Sequence, residues 1–150
     1  MPVLSPQTLD QASPEIPRFV YDRRALKVGV VHLGLGAFAR AFFADYTDDA
    51  LAREAGAWGV CGVSMRKPDV IEALRPQDGL YSLTLREADR SARRIIGCVK
   101  ELRVLPEDPR ALIVRMASPD IRILSLSVTE KGYCHDPATG ELDENHPDIL

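Results

Sequence analysis

Apolar and polar positions alternate along this chain with two periods. Val28, Val30, Val31 and Leu33 supply the β-branched and apolar content of a strand covered on both faces. Over residues 37 to about 55, Phe38, Ala41, Phe42, Tyr46, Ala50 and Leu51 recur at helical spacing, while Asp45, Asp48, Asp49, Arg53 and Glu54 lie mostly elsewhere. Gly56 supplies a stop, and residues 58–64 predict a short second strand. Strand, helix and strand in that order favour parallel pairing through a right-handed crossover.

The pattern then changes. Pro68 suits the first turn of a short helix whose inner face is Val70, Ile71 and Leu74, ended by Pro76-Gln77-Asp78-Gly79. Tyr81, Leu83 and Leu85 alternate with Ser82, Thr84 and Arg86, the signature of a strand with one wet face. A second run, residues 94–104, is expected to pair with it across the turn at 87–91 as an antiparallel hairpin. Asp108-Pro109 opens another helix, with Leu112, Ile113 and Met116 facing inward until Ser118-Pro119. Residues 121–128 are nearly all aliphatic apart from Ser125 and Ser127, which predicts a central parallel strand. The expected fold is therefore α/β, a Rossmann-type doubly wound and mostly parallel sheet with an inserted antiparallel hairpin.

Residues 1–20, with Pro2, Pro6, Pro14 and Pro17, read as an irregular lead-in, and residues 21–150 as a dinucleotide-binding domain. Such a sheet normally has more strands than these residues supply, so the domain is expected to be incomplete and to belong to a longer enzyme. Composition narrows the class further. The 150 residues are 45% hydrophobic and 27% charged, as in an ordinary globular protein, and the net charge of −3 argues against a nucleic-acid partner. Arg86, Arg90, Arg93 and Arg94 read as a solvated hairpin face. Cys61, Cys98 and Cys134 form no C-x-x-C pair, and His32, His135 and His146 show no ligand spacing, so no metal site is expected. With no signal-peptide pattern and no long apolar run, a cytoplasmic protein without membrane contact is expected.

The candidate chemistry follows the first strand. Gly34-Leu35-Gly36, with Ala37 and Phe38, forms a turn in which a missing Cβ admits a pyrophosphate to the backbone. Ala39 takes the third position of the G-x-G-x-x-G/A pattern, where a small residue lets the helix pack on the sheet, and the helix start offers N–H groups and a positive dipole end. At the end of the second strand, where an acidic residue usually meets the ribose 2′-hydroxyl, the nearest carboxylate is Asp69, already past Pro68. Ser64 and Arg66 stand there instead, followed by Lys67. NAD is the expected cofactor, with NADP left open by Arg66 and Lys67. Thr129 and Glu130 fall where the last strand meets the ligand edge of the sheet and are candidates for the nicotinamide end. Lys131 has no partner to tune it for catalysis, and His32 reads as a satisfied core histidine.

Several segments together resemble the mannitol dehydrogenase family of polyol-specific long-chain dehydrogenases. They are the stretch from Val30 through Phe38 with Arg40 and Ala41, Tyr46-Thr47-Asp48-Asp49, the 58–64 strand, Pro76-Gln77-Asp78-Gly79-Leu80-Tyr81, the 127–134 segment, and His146-Pro147-Asp148-Ile149. The resemblance implies hydride transfer between NAD(H) and a secondary alcohol or ketone of an open-chain polyol or sugar acid. It also implies a mostly helical second domain with a catalytic lysine and asparagine and histidine partners, so no catalytic residue is expected before Leu150. Members commonly carry histidine at the place of Ala39 and a histidine-glutamine pair at that of Phe42-Phe43. The 129–134 run Thr-Glu-Lys-Gly-Tyr-Cys resembles fructuronate reductases, also called mannonate oxidoreductases. The corresponding run in mannitol 2-dehydrogenases is more often Thr-Glu-Gly-Gly-Tyr. The favoured substrate is therefore mannonate or fructuronate, the alternative mannitol or fructose, and the rival outside enzymes a non-catalytic dinucleotide-binding module; the oligomeric state is left open.

Overall fold

The computed structural model describes residues 3–86, 88–128 and 130–150, without the side chains of Glu130 and Lys131. After a lead-in with one 3₁₀ turn (Leu9–Gln11), strand β1 (Val28–Leu33) runs into a helix that begins with a π-turn (Ala39–Phe43) and continues as α1 (Ala44–Arg53). Strand β2 (Gly59–Ser64), helix α2 (Asp69–Leu74) and strands β3 (Tyr81–Arg86), β4 (Ser91–Ile96) and β5 (Val99–Val104) follow. Helix α3 (Pro109–Met116) leads to β6 (Ile123–Leu126) and a 3₁₀ turn (Glu130–Tyr133). Four strands form one parallel sheet in the order β5-β2-β1-β6, while β3 and β4 pair antiparallel beside it.

Both faces of the parallel sheet are covered, as the β-branched runs require. On one side Val30 and Val60 pack with Ala39, Ala44, Leu51, Ile71 and Leu74 from the α1 and α2 segments. On the other, Val31, Cys61 and Val63 meet Leu112 and Met116 of α3. The Asp108 carboxylate caps α3 by accepting the Ala111 N–H at 2.8 Å, and Arg115 clamps the helix to β5 with a two-pronged contact to Glu101 at 2.8 and 2.9 Å.

The run expected as one strand over residues 94–104 is broken at Gly97-Cys98 into strands of two different sheets. A buried polar knot makes the corner. The Asp48 carboxylate, 1% exposed on α1, accepts the N–H groups of Gly97 and Cys98 and the hydroxyl of Tyr21 at 2.6 Å. From the other side Arg23 donates to the carbonyls of Gly97 and Val99 at 2.8 and 2.9 Å and pairs with Asp78. A Cβ at residue 97 would overlap the Phe19 ring, so the bend needs glycine. Burial beside Asp48 pushes the Tyr21 phenol well above its ordinary value and keeps it a donor.

Three further expectations change. Arg94 is no part of a solvated face, since its guanidinium turns onto Asp49 at 2.6 Å and Asp45 at 3.2 Å. Ile113 points outward, 60% exposed, because α3 is a short helix whose narrow inner stripe is already filled by Leu112 and Met116. The aliphatic 121–128 run is parallel to β1 but lies at the edge of the sheet among the described residues, leaving Leu124 and Leu126 exposed.

Asp48→Ala orphans three donors at the corner and is expected to destabilise the chain by about 3 kcal/mol in denaturant unfolding, whereas Asp49→Ala on the wetter side changes it by less than about 1 kcal/mol.

Candidate cofactor site

Strand β1 ends in a turn whose first two N–H groups share one acceptor. Gly34 N–H and Leu35 N–H both donate to the Val63 carbonyl at the end of β2, at 2.9 Å each. Gly34 has φ +97°, and a Cβ there would approach the Ser127 carbonyl oxygen to 3.3 Å. Leu35 drops its side chain into space left by Gly62, whose own Cβ would come within 2.5 Å of it. The N–H of Gly36 then closes on Gly34 O at 2.7 Å, and Arg40 N–H to Gly36 O at 3.1 Å begins the helix. The first helical N–H groups, at Ala37, Phe38 and Ala39, have no acceptor inside the helix and present the positive end of its dipole.

Gly36 differs from the other glycines of the site. No positive φ requires it, and a Cβ would meet nothing nearer than Gly34 O at 3.9 Å. The protein's own packing leaves open space where that side chain would stand. Ala39 is fully buried against the sheet, in keeping with its small size. Arg40 Nη1 donates to Leu35 O at 2.8 Å and Tyr81 hydroxyl to Arg40 O at 2.7 Å, bracing the turn from the helix and from the hairpin.

The order in which strands are added reverses between β1 and β6, which run parallel. The chain moves from β1 to β2 and β5, then crosses back to β6, which makes the carboxyl edge beside β1 the switch point of the sheet. A cleft of about 560 Å³ opens there, lined by Leu33, Met65, Arg66, Leu126, Ser127 and Val128. Below it His32 bridges the strands with Nδ1 at 2.9 Å from Ser125 Oγ and Nε2 at 3.0 Å from Ser127 Oγ, and its ring stacks on Phe43. Burial holds this imidazole below its ordinary 6.5.

Of the residues expected at the site, Gly34, Leu35, Gly36, Ala37 and Phe38 form the turn and helix start, with Phe38 exposed and stacked on Phe42. Ser64 spends its hydroxyl on the Lys67 carbonyl. Arg66 borders the cleft and pairs with Asp148 at 2.5 Å. Thr129 lies outside the described residues. Glu130 begins the 3₁₀ turn beyond β6. Two bracing residues, Arg40 and Tyr81, escaped the sequence-based assignment because an arginine folding back onto its own turn has no spacing signature. Asp148, 82 positions from Arg66, has none either.

The terminal loop also brings Cys134, His146 and Asp148 together, with ligand atoms within 4.8 Å of one another, which spacing did not anticipate. Two of the three are engaged within the protein: Asp148 on Arg66, and His146 Nδ1 by the Asp148 N–H at 3.1 Å. Burial, with Glu101 beside it, pushes the Cys61 thiol up to about 11, and no disulfide forms among the described residues. No helix among the described residues is long and apolar enough to cross a membrane.

A glycine turn entering a helix at the switch point of a sheet with helices on both faces defines a Rossmann-type domain. Comparison with known proteins gives its family: residues 28–150 match the model of the mannitol dehydrogenase Rossmann domain, and the chain belongs to the mannitol dehydrogenase family. It is 39% identical over 132 residues to a mannitol 2-dehydrogenase of Pyrenophora tritici-repentis, covering 86% of this chain and 23% of that protein. The ternary complex of Pseudomonas fluorescens mannitol 2-dehydrogenase with NAD and D-mannitol superposes with a TM-score of 0.83 at 37% identity, over 96% of this chain and 30% of that one. A D-sorbitol dehydrogenase in substrate-free form gives 0.82 at 31% identity, over 97% and 31%. The chain thus spans a quarter to a third of the length of these relatives.

Because the folded state resists protonating His32, its stabilising contribution is present above about pH 6.5 and is lost as the pH falls below that value. The melting temperature is expected to drop between about pH 7.5 and about pH 5.5, with a shallower slope in His32→Asn.

Proposed function

We propose that this chain is the N-terminal, NAD-binding part of a polyol dehydrogenase. The turn at 34–36 and the helix start at Ala37 and Phe38 would hold the pyrophosphate, Ser64 and Arg66 would border the adenine ribose, and the segment at Thr129 and Glu130 would lie toward the nicotinamide. The single observation that carries this is the open space beside Gly36, where the absence of a side chain serves no contact within the protein and leaves the backbone free for a phosphate. When bound, NAD supplies a hydride acceptor; the polyol loses a hydride from its CH–OH carbon and a proton from the hydroxyl, and the ketone is released.

Relatives named for mannitol and sorbitol support a polyol such as mannitol as substrate. The resemblance of the 129–134 run to fructuronate reductases rests on Lys131 alone, and the mannonate and fructuronate preference is set aside for the polyol. The base and the substrate contacts would come from a further, mostly helical domain of the kind the family resemblance implies. The apolar edge at Leu124 and Leu126 is a surface such a domain could cover.

Titrating NADH into the protein is expected to enhance nicotinamide fluorescence saturably. Gly36→Val should weaken binding by roughly a hundredfold or more in a protein that still folds, because the side chain enters the space proposed for the phosphate from a Cβ that meets nothing nearer than Gly34 O at 3.9 Å. Equal affinity in the variant would contradict the proposed site.

A further inference from the structure

Strand β5 closes the parallel sheet at the side opposite β6, and α3 packs on the face beside it. A cleft of about 570 Å³ lies there, bordered by Arg103, Asp108, Arg110, Arg115 and Ser118. Three guanidinium groups around one cleft repel one another unless carboxylates neutralise them. Arg115 is neutralised closely, because it takes both oxygens of Glu101 at 2.8 and 2.9 Å.

Arg103 comes second to the same carboxylate. Its Nε stands 3.9 Å from Glu101 Oε2, beyond hydrogen-bond reach, and that oxygen already accepts from Arg115 Nε. Arg103 Nε is thus closed off from water with no acceptor among the described residues, a costly state for a donor on a charged group. The Arg103 side chain is 36% exposed, and that exposed part borders the cleft. Arg110 is exposed and has no hydrogen bond or ion pair among the described residues. It sits in the first turn of α3, where the helix dipole is positive. Asp108, the carboxylate on the border of the cleft, commits one oxygen to the Ala111 N–H as the helix cap.

We propose that this cleft binds a small phosphate-bearing anion, with Arg103 and Arg110 as its main contacts. A guanidinium fork matches two phosphate oxygens, and a phosphate has oxygens and charge enough to engage two forks together, which a single carboxylate has not. The bound anion supplies the acceptor that Glu101 withholds from Arg103. Asp108 opposes it by like charge, so the affinity reflects two attractions and one repulsion. The site shares no residue with the glycine turn and does not depend on a dinucleotide lying there.

The test titrates inorganic phosphate into the ¹⁵N-labelled protein, against chloride at matched ionic strength, and follows the Arg103 Nε–H signal and the backbone amides of Arg110 and Ala111. Phosphate should shift these signals saturably and chloride should not. Arg103→Gln and Arg110→Gln should each weaken binding by about tenfold, the scale of one charged hydrogen bond. Asp108→Asn keeps an oxygen for the helix cap while removing the repelling charge, and should tighten binding by about threefold. A merely structural role for Arg103 would leave the phosphate affinity indifferent to Arg110 and Asp108. Saturable shifts confined to residues 34–38, no shift at the three signals, or affinities within about twofold of the unmodified protein in both Arg110→Gln and Asp108→Asn overturn the proposal.

Discussion

One carbonyl oxygen, that of Val63, sets the geometry of the site. By accepting Gly34 N–H and Leu35 N–H together it ends the pairing of β1 with β2 and turns the chain out of the sheet. The turn is possible because Gly34 reaches a positive φ, and it is locked because Leu35 fills the gap above Gly62. The helix that follows must then start at the carboxyl edge of the sheet, with its unpaired N–H groups and positive dipole end directed at the space over Gly36. Arg40 and Tyr81 hold that arrangement from outside. A rigid turn of this kind offers phosphate ligands donors that need no reordering on binding.

The helix is in turn fixed by charge buried beneath it. Asp48 on α1 caps the corner at Gly97 and Cys98, Tyr21 donates to it, and Arg23 holds the carbonyls of the same corner. This knot joins the lead-in, the helix that follows the glycine turn, the hairpin and the edge strand β5. Removing a single partner would leave buried polar groups unsatisfied, which is more damaging than losing an exposed ion pair.

How far the sequence discloses this structure depends on distance along the chain. The β1–turn–helix–β2 unit is legible because each residue acts within a few positions: β-branched strands, glycines at the turn, apolar spacing on the helix. The Asp108-Pro109 helix start is legible for the same reason. The break at Gly97 was hidden, since apolar content runs straight through residues 94–104 and the residues that bend it, Phe19, Arg23 and Asp48, are remote. Arg94 looked solvated for want of a visible partner, and finds Asp45 and Asp49 only after the hairpin folds onto α1. At the candidate site the same rule holds. The glycine turn was readable, whereas a carboxylate meeting Arg66 from position 148 was not, because no local pattern encodes a contact across 82 residues.

The central claim, that a dinucleotide lies with its pyrophosphate over the turn at 34–38, is tested most directly by amide NMR of the labelled protein during titration with NADH. The account predicts saturable shifts concentrated at the N–H signals of Gly34, Gly36, Ala37 and Phe38, with a second group at Ser64 to Arg66. Saturable shifts confined to another surface, or none at these amides when NADH is in large excess, would contradict it.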